Sequence, residues 1–475
     1  MKLSKLLSTL ILCFFAFAPG AFAAGDGAPH LDGSQMSLVW VIPFAGVLLS
    51  IAILPLVAPH FWHHNFGKLS AFWALCFLVP FTFLFGWQLA LFEMLHVLLL
   101  EYIPFIILLF ALFTVAGGVR LRGSLAGTPL VNTALLAFGA FIASWMGTTG
   151  AAMLMIRPML RSNENRHYKV HTFVFFIFLV ANIGGSLTPL GDPPLFLGFL
   201  KGVPFFWPTV ALLKPMLIVS AILLVIYFLV ESYLYKKEDH AALAAASAKE
   251  PEALKLEGSI NILLLAGVVG AVLLSGIWKP GIEWNIYHVH VELQNVTRDF
   301  LLIAIAMLSL WWTNDQSRLA NGFSWFPIVE VGKLFIGIFL TIIPAIAILK
   351  AGSNGSLAAV IDAVSKDGQP VDAMYFWATG LLSSFLDNAP TYLVFFNTAG
   401  GDPVELTGSM SSTLLAISAG AVFMGANTYI GNAPNFMVRS ICEERGVKMP
   451  SFFGYMIWSF GILTPIFILV TWLFF

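Results

Sequence analysis

Two interrupted apolar segments carry the side chains with the clearest potential for chemistry. Residues 182–194 hold three Gly, three Pro and Asp192 between apolar runs, and residues 426–434 repeat Ala-Asn, then Gly and an amide before Pro, about 240 positions later. Pro removes a backbone donor and Gly weakens a helix, so both stretches should leave N–H and C=O groups without helical partners. A bilayer tolerates such groups where they line a cavity, so both breaks are predicted binding sites.

Two further segments have polar tips that align at an offset of 240 positions. Residues 144–149 read Ser-Trp-Met-Gly-Thr-Thr, and residues 384–389 read Ser-Phe-Leu-Asp-Asn-Ala. Basic residues flank the segment 129–160 on both sides, which a simple crossing would violate because Lys and Arg favour the cytoplasmic face. The loop after the segment 374–396 is acidic and has no Lys or Arg. We therefore predict two re-entrant hairpins that enter from opposite faces.

The residue types at these four places indicate the sign of the ion. Hydroxyls, amides, free carbonyls and acids are ligands for a hard cation, whereas half-helix N-termini attract anions. Asp192 and Asp387 lie at the breaks without Lys or Arg inside either element, which favours Na⁺. A carboxylate in a poorly solvated cavity can hold either a proton or a metal cation, and this competition is the minimum machinery of an antiporter. The alternative, that either acid merely caps a half-helix, stays open.

The predicted ion-binding set spans the hairpin tips and the breaks. Intramembrane acids are functional by default, so we expect Na⁺ to bind at Asp387, Asn388 and Asp192. The full set is Ser144, Gly147, Thr148, Thr149, Asn182, Gly185, Thr188, Asp192, Ser384, Asp387, Asn388, Asn427, Thr428 and Asn432.

Composition sets the class of protein. Of 475 residues, 59% are hydrophobic and 10% charged, against about 25% charged in soluble domains. This predicts a polytopic membrane protein in contact with lipid. The absence of basic patches argues against nucleic-acid binding. The three cysteines have no disulfide or zinc spacing, and no nucleophile–base set is present, so neither an enzyme nor a cofactor is predicted.

The charge pattern orders the segments across the membrane. Residues 1–23 have the features of a signal peptide, with an uncleaved short helix as the alternative. The first repeat is placed at 24–232, a cytoplasmic linker at 233–258 and the second repeat at 259–475, with the mature N-terminus outside. Predicted spans cover residues 38–57, 69–89, 97–119, 171–200, 208–231, 260–277, 300–312, 331–349, 412–438 and 452–475.

Each half thus contains five spans and one hairpin. Five is odd, so the second half must enter from the opposite face, which makes the repeats inverted and brings both tips and both breaks together near the midplane. The predicted fold class is an all-α polytopic membrane protein with inverted repeats and two discontinuous helices. Glu93 and Glu101 are expected to be solvated at an interface, and His60, His63 and His64 to end a solvated loop.

At these motifs the sequence resembles a known superfamily. Residues 182–194 and 384–390 are similar to the ion transporters that include arsenite-efflux pumps, divalent-anion/sodium symporters and NhaD-type sodium/proton antiporters. The Leu-Asp-Asn-x-Pro hairpin and the Gly-Asp after the Thr-Pro turn most resemble the NhaD-type branch. The resemblance implies a homodimer with a scaffold and a mobile transport domain in the bacterial inner membrane, sodium near the tips, and exchange for protons.

Two departures bear on the substrate. The tips read Gly147-Thr148-Thr149 and Asp387-Asn388-Ala389 where the symporters carry Ser-Asn-Thr, and Asp192-Pro193-Pro194-Leu195 replaces a Pro-Pro-Asn end. Both weaken the case for a bound carboxylate substrate. The leading hypothesis is Na⁺/H⁺ exchange. The alternative is an anion carrier that exports arsenite or imports a di- or tricarboxylate with sodium.

Overall fold

The computed structural model of the protein describes residues 29–123, 125–239 and 253–475. The predicted signal peptide and residues 240–252 of the predicted linker lie outside these ranges. The described chain is almost wholly helical, as a bilayer requires of segments that must satisfy their own backbone groups. Ten of its helical segments are long and apolar enough to cross a membrane. This confirms the predicted class of a polytopic helical membrane protein.

The first half follows the predicted order of three long helices, a hairpin, a broken helix and a long helix. Helix α3 continues through a π-helical turn into α4, and Gly147 joins the two helices of the first hairpin, α5 and α6. The bounds are α1 Ile42–Val57, α2 Pro59–Phe85, α3 Trp87–Val97, π-turn Leu98–Tyr102, α4 Ile103–Gly117, α5 Pro129–Met146, α6 Thr148–Ser162, α7 Val170–Leu179, a 3-10 turn Ile183–Leu187, α8 Pro193–Leu200 and α9 Trp207–Tyr235.

The second half repeats this order with short additions between its third helix and its hairpin. The second hairpin consists of α16 and α17. The bounds are α10 Ile260–Ile277, α11 Leu293–Trp312, α12 Asp315–Ala320, α13 Phe326–Thr341, α14 Ile343–Lys350, α15 Ala358–Asp362, α16 Asp372–Phe385, α17 Asn388–Thr398, α18 Pro403–Thr407, α19 Ser411–Met424, a 3-10 turn Gly425–Asn427, α20 Ala433–Glu444 and α21 Phe452–Phe474.

Three predicted helix starts are wrong by seven residues or more, one of them that of the span predicted at 97–119, which begins at Trp87. Helix α11 begins at Leu293 rather than at 300, because Arg298 and Asp299 neutralise each other at 2.8 Å and are accommodated inside the helix. Helix α2 begins at Pro59 rather than at 69, so the three histidines expected in a loop lie in its first two turns. The ten long segments also include α5, which we predict as half of a hairpin, and omit the shorter interrupted helix over residues 411–427.

Short antiparallel strand pairs close three loops. The first pair ties the chain after α4 to the chain before α10, and an ion pair between Arg120 and Glu257 at 3.0 Å supports it. The pairs are β1 Arg120–Arg122 with β2 Lys255–Glu257, β3 Glu283–Ile286 with β4 Val289–Glu292, and β5 Ser365–Lys366 with β6 Gln369–Pro370.

The buried apolar side chains form two clusters. The hairpin cluster is built from both hairpins, both broken helices, α9 and α21, whereas the outer cluster is built from α1–α4, α10, α11, α13 and α14. Helices α8 and α17 contribute to both clusters, for example through Leu195 to the hairpin cluster and Leu197 to the outer one. The resemblance implies a scaffold and a mobile transport domain, and the correspondence of these two clusters to such domains stays a prediction. Relative motion of the two stays a prediction.

A buried ion network ties the first hairpin to α9. Glu231 is fully buried and accepts hydrogen bonds from Arg166 at 2.8 Å and from Asn132 at 2.9 Å, while His171 Nε2 lies 2.6 Å from it. Arg166 also binds Glu238 at 3.0 Å. Removing one partner of such a network leaves an uncompensated buried charge.

We expect Glu231→Gln to lower the stability of the protein by about 3 kcal/mol, because Arg166 loses its closest carboxylate in a site that excludes water. The measurement is the melting temperature of the purified protein in detergent. Glu443→Gln is the matched control, since Glu443 pairs with Arg439 at 2.9 Å but is 44% exposed; its effect should stay below about 0.5 kcal/mol. Equal losses for both variants would contradict a structural role for the network.

Candidate functional site

The first break is held against the tip of the first hairpin by hydroxyl groups. Ser144 Oγ donates to the Gly184 carbonyl at 2.5 Å and accepts the Leu187 N–H at 3.0 Å. The Thr188 hydroxyl donates to the Ser144 carbonyl. These bonds supply partners for the Gly184 carbonyl and the Leu187 N–H of the interrupted helix, as a dry environment demands.

The second break repeats this arrangement at an offset of 240 positions. Ser384 Oγ lies 3.1 Å from the Met424 carbonyl, and Asn427 Nδ2 donates to Ser384 Oγ at 2.9 Å. Thr428 Oγ1 donates to the Ser384 carbonyl at 2.5 Å. The internal alignment made from the sequence therefore corresponds to equivalent hydrogen bonds in the two halves.

In each break, two parts of the backbone pack closely against each other at a pair of glycines. Gly185 lies against Gly191 in the first break, and Gly425 lies against Gly431 in the second. A Cβ on Gly431 would lie 2.6 Å from the Gly425 carbonyl oxygen and 2.8 Å from that of Ser383. At Gly191 and Gly431 a Cβ would therefore clash with backbone oxygen atoms.

Gly431→Ala should destabilise the protein by about 2 kcal/mol, because backbone rather than a flexible side chain must move to admit the methyl group. Thermal unfolding in detergent measures this. Gly461→Ala in α21 is the control, since a Cβ there meets nothing within 4 Å and alanine favours the helix by about 0.5–1 kcal/mol. A loss no larger for Gly431→Ala than for Gly461→Ala would show that the glycine pair is not closely packed.

Asp192 is the point where both hairpins and both breaks meet. Its carboxylate accepts hydrogen bonds from Thr148 Oγ1 at 3.1 Å, Asn388 Nδ2 at 2.5 Å and Asn432 Nδ2 at 3.0 Å, and the residue is only 2% exposed. Asn432 is the position equivalent to Asp192 in the second half. Equivalent residues that contact each other lie beside a twofold axis. Helix α8 likewise packs on α17, and its equivalent α20 packs on α6.

An amide network continues from Asp192 across the same axis. Asn432 Nδ2 also reaches Asn182 Oδ1 at 3.2 Å, and Asn182 Nδ2 donates to Asn435 Oδ1 at 2.7 Å. Asn435 in turn donates to the Gly425 and Thr428 carbonyls at 2.8 and 2.9 Å. Sequence reasoning missed Asn435, although a polar residue in the first turn after the second break was an available signal.

The structure separates the two acids, for both of which the sequence left a capping role open. Asp387 is the N-cap of α17, and its Oδ1 accepts the Ala389 N–H at 3.0 Å. Asp192 precedes α8 but makes no side-chain capping bond. The capping alternative therefore applies to Asp387 and not to Asp192, which is instead held by side chains from three other elements. Asp387 is half-buried and keeps a carboxylate at the hairpin tip.

Two buried amide oxygens at this site have no hydrogen-bond partner among the described residues, those of Asn388 and Asn427. An ionised carboxylate only accepts hydrogen bonds, so the Asn388 amide nitrogen must face Asp192 and its oxygen must face away. The amide of Asn427 is oriented in the same way by its bond to Ser384. A buried acceptor without a partner is costly, and a bound cation or water would satisfy it.

The structure brings nearly all the predicted residues together at one place. Thr149 is half-buried and makes no side-chain hydrogen bond to the others within the described chain. The remaining members lie in the two tips or the two breaks: Ser144, Gly147, Thr148, Asn182, Gly185, Thr188, Asp192, Ser384, Asp387, Asn388, Asn427, Thr428 and Asn432.

One expectation about the surroundings of the site is wrong. Glu101, expected to be solvated, is 4% exposed, lies in the π-turn, and binds Lys201 Nζ at 2.5 Å. Lys201 follows α8 directly, so this pair connects the outer cluster to the helix that begins at Asp192. The only signal of this ion pair in the sequence is the basic residue Lys201, because its partner Glu101 lies 100 residues away. π-turns are frequent at functional sites.

Comparison with known proteins places this chain among transporters. Two curated relatives, the uncharacterized transporters Mb2703 of Mycobacterium bovis and Rv2684 of Mycobacterium tuberculosis, are each 24% identical to this chain over 332 residues, which cover 68% of the chain and 72% of each relative. A family model described as "Putative citrate transport" matches residues 33–475. This agrees with the resemblance at the level of the superfamily, while the NhaD-type branch stays a prediction. The protein belongs to the membrane-transporter family described as "Putative citrate transport".

Proposed function

We propose that the protein is a secondary transporter that exchanges Na⁺ for H⁺ across a bacterial inner membrane. The observation that carries the proposal is the pair of acids Asp192, in the first break, and Asp387, at the tip of the second hairpin. Asp192 is bound by three uncharged donors, and no ion pair among the described residues involves either acid. A buried carboxylate without a cationic partner favours binding a proton or a metal cation.

The helix ends at the site support a cation as the free ligand. Helices α6, α8, α17 and α20 all begin there, and their N-termini would attract an anion. The negative charge of the Asp192 carboxylate already lies in the positive potential of these N-termini. Four C-termini, those of α5, α7, α16 and α19, end at the tips and breaks and contribute carbonyl groups of opposite sign. An added dicarboxylate would meet the fixed negative charge of Asp192.

The proposed Na⁺ ligands are Asp387, Asn388 and Asp192. A carboxylate offers about four lone-pair sites, of which Asp192 uses three for its hydrogen bonds. The Asn388 amide oxygen is buried and has no hydrogen-bond partner among the described residues. Oxygen ligands of this kind suit a hard cation. A proton on either acid would remove the charge that holds Na⁺, so the two ions compete.

The second candidate is sodium-coupled uptake of citrate or another di- or tricarboxylate, and the family description favours it. The same acids would then bind the coupling sodium, which would screen their negative charge from the anionic substrate. Arsenite efflux is the further anion alternative within the superfamily, and no residue of the described site specifically favours it.

The experiment that separates these functions uses inverted membrane vesicles with a dye that reports the pH inside. Respiration acidifies the lumen, and NaCl should then dequench the dye in the absence of citrate. Vesicles from cells that lack the protein are the control. No response to NaCl at any pH from mildly acidic to alkaline, together with sodium-dependent citrate flux, would overturn the antiport proposal.

The proposal includes the organisation of the chain in the membrane. Residues 24–232 and 259–475 form inverted repeats after a cleaved signal peptide, residues 233–258 form a cytoplasmic linker, and two chains form a homodimer. In a cysteine-free background, a cysteine at Gly408 should be labelled from the periplasm and one at Ala244, outside the described residues, only from the cytoplasm. The reverse pattern at either position would contradict inversion. Mass photometry in detergent tests the dimer.

A further inference from the structure

An ion pair away from the candidate ion site joins the two clusters of the fold. Lys201 Nζ donates to Glu101 Oε1 at 2.5 Å. Glu101 lies in the π-turn, which is flanked by Val97 and Phe105 of the outer cluster. Lys201 lies in the chain that follows α8, two residues before Val203 of the hairpin cluster. The pair is therefore a direct charged contact between the two clusters.

Lys201 is attached to the helix that begins at the candidate site. Its backbone N–H donates to the Leu197 and Gly198 carbonyls at 3.1 Å each, which fixes it to the last turn of α8. Helix α8 begins directly after Asp192, and its eight residues span about 12 Å. A movement of α8 that exposes Asp192 would therefore also move Lys201.

Lys201 is the only described residue within hydrogen-bond distance of the Glu101 carboxylate. The second oxygen of that carboxylate, Oε2, is buried without a hydrogen-bond partner in the described chain. Glu93, His96 and Lys350 lie within electrostatic range of Glu101, but none of them forms a hydrogen bond or an ion pair with it there. Separation from Lys201 would leave a buried charge uncompensated, which is costly. The pair thus favours the state in which it is closed.

Open space beside the pair gives the two elements room to separate. A cavity of about 660 Å³ is lined by Leu100 of the π-turn and by Leu200 and Gly202 on either side of Lys201. Close-packed interiors resist relative movement, whereas an unfilled space of this size does not. The loop after α8 packs towards the second hairpin instead, since a Cβ on Gly202 would lie 3.0 Å from the Pro403 ring. The ion pair therefore joins the π-turn and α8 across a partly unfilled interface.

The pair lies on the side of the site that faces away from the linker. Helix α4 runs from the π-turn to the β1–β2 pair beside the linker, and α9 runs back to the linker from the loop after Lys201. A secondary transporter must open its site to the two faces in turn, by moving one bundle of helices against another. Opening the site to the face opposite the linker would need a gap between the clusters where this pair holds them together.

We propose that Glu101 and Lys201 form a latch that closes the site towards the face opposite the linker and that opens in every transport cycle. The cost of leaving Glu101 unpaired stabilises the closed state, and return of α8 re-forms the contact. The proposal rests on transport through the site at Asp192, and it holds whether the cargo is Na⁺ or a carboxylate. An ion pair that only stabilises the fold is the alternative.

The first test joins the two positions by a reversible cross-link. In a cysteine-free background, Glu101→Cys with Lys201→Cys removes both charges together, which a buried pair tolerates better than the loss of one. Bifunctional thiosulfonates of graded length then join the two thiols, and mass spectrometry gives the cross-linked fraction. Transport of Na⁺ or citrate, whichever the vesicle experiment assigns, should fall in proportion to that fraction and recover with a reductant. Each single-cysteine variant is the control and should keep the rate it had before treatment.

Two outcomes of the cross-linking would overturn the proposal. Transport at an unchanged rate by fully cross-linked protein would show that the contact is static. Failure of every reagent length to join the thiols would show that the two positions are not in contact.

The second test is a charge swap. Lys201→Glu alone places a carboxylate against Glu101 and should lower the transport rate about tenfold or more, because the latch cannot close. Adding Glu101→Lys restores the attraction in the opposite orientation and should bring the rate back to within about threefold of the wild type. Effects of the two changes that simply add would show that the charges are not coupled and would refute the latch. Absence of Na⁺/H⁺ exchange in the wild type would contradict the proposed function but leave the same comparison possible with citrate.

Discussion

Asp387→Asn should reduce sodium-dependent proton movement by roughly two orders of magnitude, the effect of losing about 2–3 kcal/mol of charge-assisted binding. The variant should melt close to the wild-type temperature, because asparagine caps a helix as well as aspartate does. The Ala389 N–H can thus keep its bond while the charge that holds Na⁺ or H⁺ is gone.

Asp387→Ala provides the complementary control. It removes the cap as well as the charge, so it should lose transport equally and also lose about 1 kcal/mol of stability. Exchange at the wild-type rate in Asp387→Asn would mean that the proton binds elsewhere. Asp192 or Glu101 would then be the next carboxylates to test.

Asp192→Asn should impair both stability and transport. Three donors converge on this carboxylate. An amide in its place has one end that can only donate, so at least one buried donor would lose its acceptor, at a cost of about 1–3 kcal/mol. The apparent affinity for sodium should fall, whereas a purely structural role would lower the melting temperature and leave the sodium dependence unchanged.

The double variant Asp192→Asn with Asn432→Asp gives the matched control for that change. It exchanges the two side chains across the pseudo-twofold axis and keeps one amide-to-carboxylate bond between positions 192 and 432. Its melting temperature should therefore recover at least half of the loss seen in Asp192→Asn. No recovery, measured as additive effects of the two changes, would show that the two positions are not coupled.

The sequence predicted the architecture well because the bilayer leaves few choices. Long apolar runs must be helices, and Gly and Pro at residues 182–194 must interrupt them. The offset of 240 positions also aligned Ser144 with Ser384, whose hydroxyls donate equivalent bonds in the structure. Patterns of this kind are local or repeated along the chain, so they can be recognised without coordinates.

The errors concern charges whose partners are distant or unexpected in sequence. Glu101 is buried because Lys201 neutralises it, and Arg298 and Asp299 lie inside α11 because they pair with each other. The roles of the two acids could not be separated beforehand, since Asp before Pro at 192 has the sequence of a cap. Only the three donors from other elements show that its side chain is used differently.

The most direct test of the central claim uses purified protein in liposomes with an imposed pH gradient and radioactive Na⁺ outside, in the absence of citrate. Liposomes that are acidic inside should accumulate Na⁺ with the wild-type protein, and those with Asp387→Asn should not. Adding citrate should leave the initial rate unchanged. Sodium uptake that requires citrate and ignores the pH gradient would contradict exchange and would assign the site to sodium-coupled carboxylate uptake.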